Sequence, residues 1–194
     1  MSRSARARLE SLRFVMNEVY TLGMMAVIAA VLTAAMVMQY TYGELPCPLC
    51  LLQRVAMLGV CFGLMQNFRN GFSDRNLGYS LLFSVFLLVV SIRQTLLDIY
   101  PRPGHAYVGS AVLGLHMPVW SILIAMALIT AFAIKLCVIG TEDGTKPPDH
   151  KSQFGRIAML LSLYVIAVAV VNFGSVLVQC GLGQCHTTSY ALLK

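Results

Sequence analysis

Five apolar stretches, each about the length that crosses a bilayer, constrain this chain more than any other feature. They run from Tyr20 to Tyr40, Cys50 to Gln66, Leu77 to Ile99, Val119 to Ile139 and Ile157 to Val178. A hydrocarbon core needs about 20 apolar residues per helix. Backbone polar groups must be satisfied internally in lipid, so segments of this length and character read as helices and not as open sheet. Only 11% of residues are charged, against about 25% in an ordinary soluble domain. The expected fold is all-α: one polytopic membrane helix bundle spanning residues 1–194, with no separate soluble domain, repeat or low-complexity tract. The first stretch is too long for a signal-peptide core, and no small-residue cleavage site follows it, so it is expected to stay as a span.

Charge sets the expected orientation. With the N-terminus inside, Arg3, Arg6, Arg8, Arg13, Arg69, Arg75, Lys135, Lys146, Lys151 and Arg156 fall at inner ends or loops. Arg54, Arg93, Arg102 and Lys194 fall on the outer half, a division of 10 against 4 among the 14 basic residues. Basic residues concentrate on the cytoplasmic side of membrane proteins. The net charge of +6 therefore reads as topology rather than as a nucleic-acid surface. With five spans the C-terminus is expected outside.

This topology puts four of the six cysteines on the outer face: Cys47, Cys50, Cys180 and Cys185. Disulfides form and persist in oxidising compartments such as the bacterial periplasm. Cys47 and Cys50 form Cys-Pro-Leu-Cys at the start of the second span, a spacing that lets two sulfurs close a small ring. A helix N-terminus stabilises a thiolate through its free N–H groups and dipole. Arg54 follows Cys50 by four residues on the same helical face, and an arginine inside a span is costly unless it serves a function or reaches the interface. A static disulfide and half of a zinc site are the other readings of this pair. Cys180 and Cys185 bracket Gly181 and Gly183, and glycines make a tight loop easy. That pair reads as redox-active, as a structural disulfide closing a short loop, or as part of a four-cysteine zinc site; no metal is expected. Cys61 and Cys137 read as small buried hydrophobes.

Three segments resemble the DsbB family of membrane disulfide-generating proteins. They are Glu44-Leu45-Pro46-Cys47-Pro48-Leu49-Cys50-Leu51-Leu52-Gln53-Arg54, Leu97-Asp98-Ile99-Tyr100-Pro101, and Gly114-Leu115-His116-Met117-Pro118-Val119-Trp120. The resemblance covers roughly Tyr20 to Ile139. It implies a four-helix core, here with a fifth span added, in a bacterial inner membrane. It also implies passage of electrons from a periplasmic thioredoxin-fold oxidase of the DsbA type to a quinone of the membrane pool, ubiquinone or menaquinone. By matching positions, Cys47 and Cys50 would be the quinone-facing pair, Cys50 would contact the quinone ring, and Arg54 would stabilise the thiolate and the reduced quinone.

The chain departs from the family pattern in three places. The loop from Tyr100 to Pro118 has no cysteine, so the partner-facing pair is expected to be Cys180 and Cys185. Gln94 stands where a histidine often lies near the quinone, and is expected to hydrogen-bond a quinone carbonyl. His116 stands where an acidic residue is common, and reads as a proton-handling group or as a surface histidine. A non-enzymatic membrane scaffold or assembly protein stapled by two disulfides is the alternative to the enzyme.

Overall fold

The computed structural model describes residues 3–43, 45–99, 111–140 and 152–181, with the side chains of residues 3–7, 9 and 10 outside the description. Arg102, Lys146, Lys151, Cys185 and Lys194, which the sequence places in loops or the tail, lie outside the described residues. Five helices follow one another: α1 (Arg3–Tyr42), α2 (Pro48–Asn70), α3 (Asp74–Ile99), α4 (Met117–Val138) and α5 (Gln153–Cys180). All five are long and apolar enough to cross a membrane. The chain is thus a polytopic helical bundle. Helices α1, α2 and α5 run beyond their apolar stretches at both ends and α3 at its start, whereas α4 begins two residues earlier, at Met117, and ends one residue earlier, at Val138.

The helix ends follow from local chemistry. Pro48 opens α2, where its missing N–H costs nothing, and Cys47 caps it by accepting a hydrogen bond from the Cys50 amide at 3.1 Å. Gly71 ends α2 at φ 91°, a backbone region that favours glycine. Ser73 then accepts from the Asn76 amide at 3.3 Å at the start of α3. So short a link makes α2 and α3 antiparallel neighbours, and they form the most extensive helix pair. Ser152 caps α5 by accepting from the Gly155 amide at 3.0 Å. Before α4, Leu113 and Gly114 both take positive φ, at 52° and 78°, and turn the chain so that Val112 and Leu115 pair.

The core runs through the middle of the bundle. It contains Met25, Ile28 and Leu32 of α1, Val60 and Leu64 of α2, Leu87 of α3, Phe132 of α4, and Ala158 and Val165 of α5. Val27, Leu82, Val89, Leu160 and Val170 point out of the bundle, an arrangement suited to a lipid surround. Helix α5 packs in the angle between α1 and α2. Cys61 is a free, fully buried core residue, as expected. Cys137 is free but faces outward, so its expected burial is corrected. Its helix presents that face to the surround, and in lipid a small apolar side chain loses nothing by this. Lys135 is buried to 1% exposure, and its Nζ lies 5.5 Å from the centroid of the Phe72 ring. A ring face attracts a cation within about 6 Å.

One close approach sets the α2–α3 spacing. A Cβ on Gly63 would lie 2.7 Å from the Ser80 amide nitrogen and 2.9 Å from the Asn76 carbonyl oxygen. Both are backbone atoms and cannot swing aside. Gly78 has open space at the corresponding point. Gly63→Ala is expected to destabilise the bundle by about 1–3 kcal/mol, the usual cost of overpacking, and Gly78→Ala to leave it unchanged. Thermal unfolding of the two detergent-solubilised variants, read side by side, checks this.

Candidate redox site

Cys47 and Cys50 are joined in a disulfide, with Cα atoms 5.0 Å apart. Cys47 is buried and Cys50 half-buried. The pair sits where α2 begins, so the unpaired amides of the first turn face it. The Gln94 amide of α3 reaches across and donates to both sulfurs, at 3.3 Å to each. Cys47 Sγ thus has two N–H donors, Gln94 and the Cys50 amide.

Gln94 is itself held. Its Oε1 accepts from Gln53 Nε2 at 2.9 Å, and Gln53 Oε1 accepts from Ser121 Oγ at 3.2 Å. The three side chains come from α3, α2 and α4 and are all buried. A buried amide that spends its oxygen on one neighbour must present its N–H groups elsewhere, here to sulfur. The chain Ser121–Gln53–Gln94 therefore orients a donor at the disulfide.

Arg54 follows Gln53 and points to the other side of α2, since successive helical residues are turned by about 100°. Its Nη1 donates to Gln39 Oε1 at 2.7 Å and to Asn172 Oδ1 at 3.1 Å, and its Nη2 donates to the Ala35 carbonyl at 3.1 Å. These partners belong to α1 and α5. Arg54 is 8% exposed. Gln39 also donates to Ser175 Oγ at 2.7 Å, and Gln179 Nε2 donates to the Pro46 carbonyl at 2.8 Å.

Of the residues singled out from sequence, Cys47, Cys50 and Gln94 come together. Arg54 lies one turn further along α2, with these three bonds directed at α1 and α5. Cys180 ends α5 as a buried residue that is not a free thiol; it directly follows Gln179, which holds the loop before Cys47. Cys185 is outside the described residues. His116 sits half-buried at the N-cap of α4, five residues before Ser121. Gln39, Gln53, Ser121, Asn172, Ser175 and Gln179 were not singled out. Their signal is that they are polar and sit within otherwise apolar spans, where such side chains face the bundle interior. Among the described residues no cluster of three or more potential metal ligands occurs.

Cys50 is the more exposed of the two cysteines.

Residues 17–106 match the family model of the disulfide bond formation protein DsbB. No curated protein and no solved structure matches the chain. The matched segment holds α2, α3, the Cys47–Cys50 disulfide, Gln53, Arg54 and Gln94, and over it the chain is similar to the DsbB family of membrane proteins for disulfide bond formation.

Proposed function

We propose that this chain is a disulfide-generating thiol:quinone oxidoreductase of the bacterial inner membrane. In this reading it reoxidises a periplasmic thioredoxin-fold oxidase of the DsbA type. The observation that carries the reading is the Gln94 amide donating to both sulfurs of a helix-capping Cys47–Cys50 disulfide in a membrane bundle. A structural staple needs no such donor, whereas a disulfide that opens and closes does. Whichever sulfur leaves as thiolate finds an N–H from Gln94, and Cys47 finds the Cys50 amide as well. Hydrogen bonds to a charged group are worth about 1.5–3 kcal/mol.

The relay is a series of thiol–disulfide exchanges. A partner thiolate attacks the Cys180–Cys185 disulfide, forms a mixed disulfide, and leaves oxidised when its second thiol displaces the chain. Two electrons and two protons now reside on Cys180 and Cys185. Their thiols open Cys47–Cys50 in the same way and are reoxidised. A bound quinone would supply a two-electron, two-proton acceptor for the reduced Cys47 and Cys50, and Cys50, the more exposed of the two residues, would be the one to face it. Arg54 places positive charge one turn away, and the neutral acceptors Gln39, Asn172 and the Ala35 carbonyl orient its guanidinium while adding no countercharge of their own. The arrangement has an energetic reason. A DsbA-type oxidase has a potential of roughly −120 mV, beyond the reach of ordinary thiol pools, so its electrons need a stronger acceptor such as a membrane quinone.

The deciding experiment follows quinone absorbance in purified protein after adding a reduced DsbA-type dithiol, with ubiquinone and with menaquinone. Catalytic loss of the quinone band is expected, and Cys50→Ser should abolish it. No loss with either quinone would move the assignment to a scaffold with structural disulfides. The double variant Cys180→Ala, Cys185→Ala should lose oxidation of the partner protein yet still pass electrons from a small dithiol; full activity on the partner would make that pair structural. Gln94→Leu should slow alkylation of the reduced Cys47–Cys50 pair at neutral pH by about ten-fold, the size of one charge-assisted hydrogen bond, as read by peptide-resolved mass spectrometry.

A further inference from the structure

The part of the chain beyond residue 106 lies outside the family match, yet α5 carries three of the side chains that border the redox site. Its inward-facing residues are Ala158, Leu161, Val165, Val168, Asn172, Ser175 and Gln179. They recur at alternating steps of three and four, the spacing of a helix seam packed on a neighbour. The first four are apolar and the last three polar. The change falls at the level of the redox site. Asn172 accepts from Arg54 Nη1 at 3.1 Å, Ser175 accepts from Gln39 at 2.7 Å, and Gln179 donates to the Pro46 carbonyl at 2.8 Å. Asn172 and Gln179 are seven residues apart, about 10 Å along the helix. One face of α5 therefore grips the arginine, its α1 partner and the loop that ends in Cys47. All three side chains are buried, at 4%, 8% and 0% exposure.

We propose that α5 is a working part of the redox centre, in which Asn172 positions the Arg54 guanidinium and Gln179 positions the Cys47 loop. The inference rests on the oxidoreductase reading for what Arg54 and Cys47 do, but its grip on them is read from the bonds above. Asn172 and Gln179 are positioning residues. Asn172 shares Nη1 of Arg54 with Gln39, so the guanidinium is held from two helices at once. Both acceptors are neutral and add no countercharge of their own. Gln179 secures the carbonyl one residue before Cys47, and this fixes where the cap sulfur lies relative to the first turn of α2 and to Gln94. Helix α5 then ends at the next residue, Cys180. The helix that delivers the second cysteine pair is thus the helix that holds the first.

The test uses the full chain in detergent, reduced and then treated with iodoacetamide, with Cys47 and Cys50 alkylation followed by peptide-resolved mass spectrometry. Quinone KM and kcat are measured separately with a small dithiol donor. Gln179→Met keeps the side chain's length and removes the donor; it should change the Cys47 alkylation rate by about ten-fold. Asn172→Asp keeps an acceptor oxygen but sets a carboxylate against Arg54. It should raise quinone KM and slow Cys50 alkylation, each by about ten-fold, with its thermal midpoint close to that of the unmodified chain. Asn172→Leu should do the same through loss of orientation, and the near-isosteric Asn172→Asp decides the matter if that variant does not assemble. Phe173→Ala, on the outward face of α5, should move none of these readings. Alkylation rates in Gln179→Met and Asn172→Asp equal to those of the unmodified chain would overturn the proposal, even with quinone turnover intact. Altered alkylation in a chain that reduces no quinone would uphold the positioning and instead overturn the oxidoreductase reading.

Discussion

The Arg54 guanidinium is the group around which this bundle is organised. A cation within a membrane bundle must be matched by polar groups from the protein itself, because lipid offers none. Gln39 and the Ala35 carbonyl come to it from α1, and Asn172 comes from α5. Three helices are thereby drawn to one level of the bundle, and that level lies one turn below the disulfide. Satisfying Arg54 and assembling the redox site are the same structural problem. Ser175 completes the arrangement by holding the other end of the Gln39 amide, so the acceptor that faces Arg54 cannot turn away without breaking a second bond.

Two consecutive residues divide the labour of α2. Gln53 faces α3 and α4 and, through Gln94, controls the donor at the sulfurs. Arg54 faces α1 and α5 and carries the charge. Neither network includes both residues among the hydrogen bonds described above. A change on the Ser121 side therefore alters hydrogen bonding to sulfur, while a change on the Asn172 side alters the local field. Under the proposed function, such a separation would let the protein tune thiol reactivity and acceptor affinity by different side chains.

Much of this is legible in the sequence. The five helices follow from apolar runs of bilayer length, and the Cys-Pro-Leu-Cys segment lies at the start of the second helix, as expected. Gln94 stands where the family often has a histidine, with a quinone carbonyl as its expected partner, and the structure sets its amide against the two sulfurs instead; helical position tells which face a residue occupies but not which helix meets that face. In the oxidised chain the Gln94 amide is taken up by sulfur on one end and Gln53 on the other. Lys135 shows the same gap. Expected as an inner-end topological charge, it also folds inward over the Phe72 ring, since a long apolar stem lets the amine reach a ring that only tertiary packing brings near. Gln39, Asn172, Ser175 and Gln179 went unmarked for a different reason. A search for spans rewards apolar residues and treats scattered polar ones as noise.

In lipid that scatter carries information. Apolar side chains gain little from packing on other apolar side chains when hydrocarbon surrounds both, so helix association leans on close packing and on polar contacts. Helix α5 shows both in sequence along one seam. Its first half docks through Ala158, Leu161, Val165 and Val168, and Tyr164 adds a hydrogen bond to Thr33 at 2.6 Å. Its second half docks through Asn172, Ser175 and Gln179. An isolated polar side chain in a span is expensive in any setting, and two amides and a hydroxyl on one face are tolerable only when a partner stands opposite each. Here the partners are the arginine, the glutamine that holds it, and the backbone beside the capping cysteine. The bonds that keep a fifth helix from drifting off into the bilayer are therefore the same bonds that shape the site, and a sequence cannot keep one while losing the other.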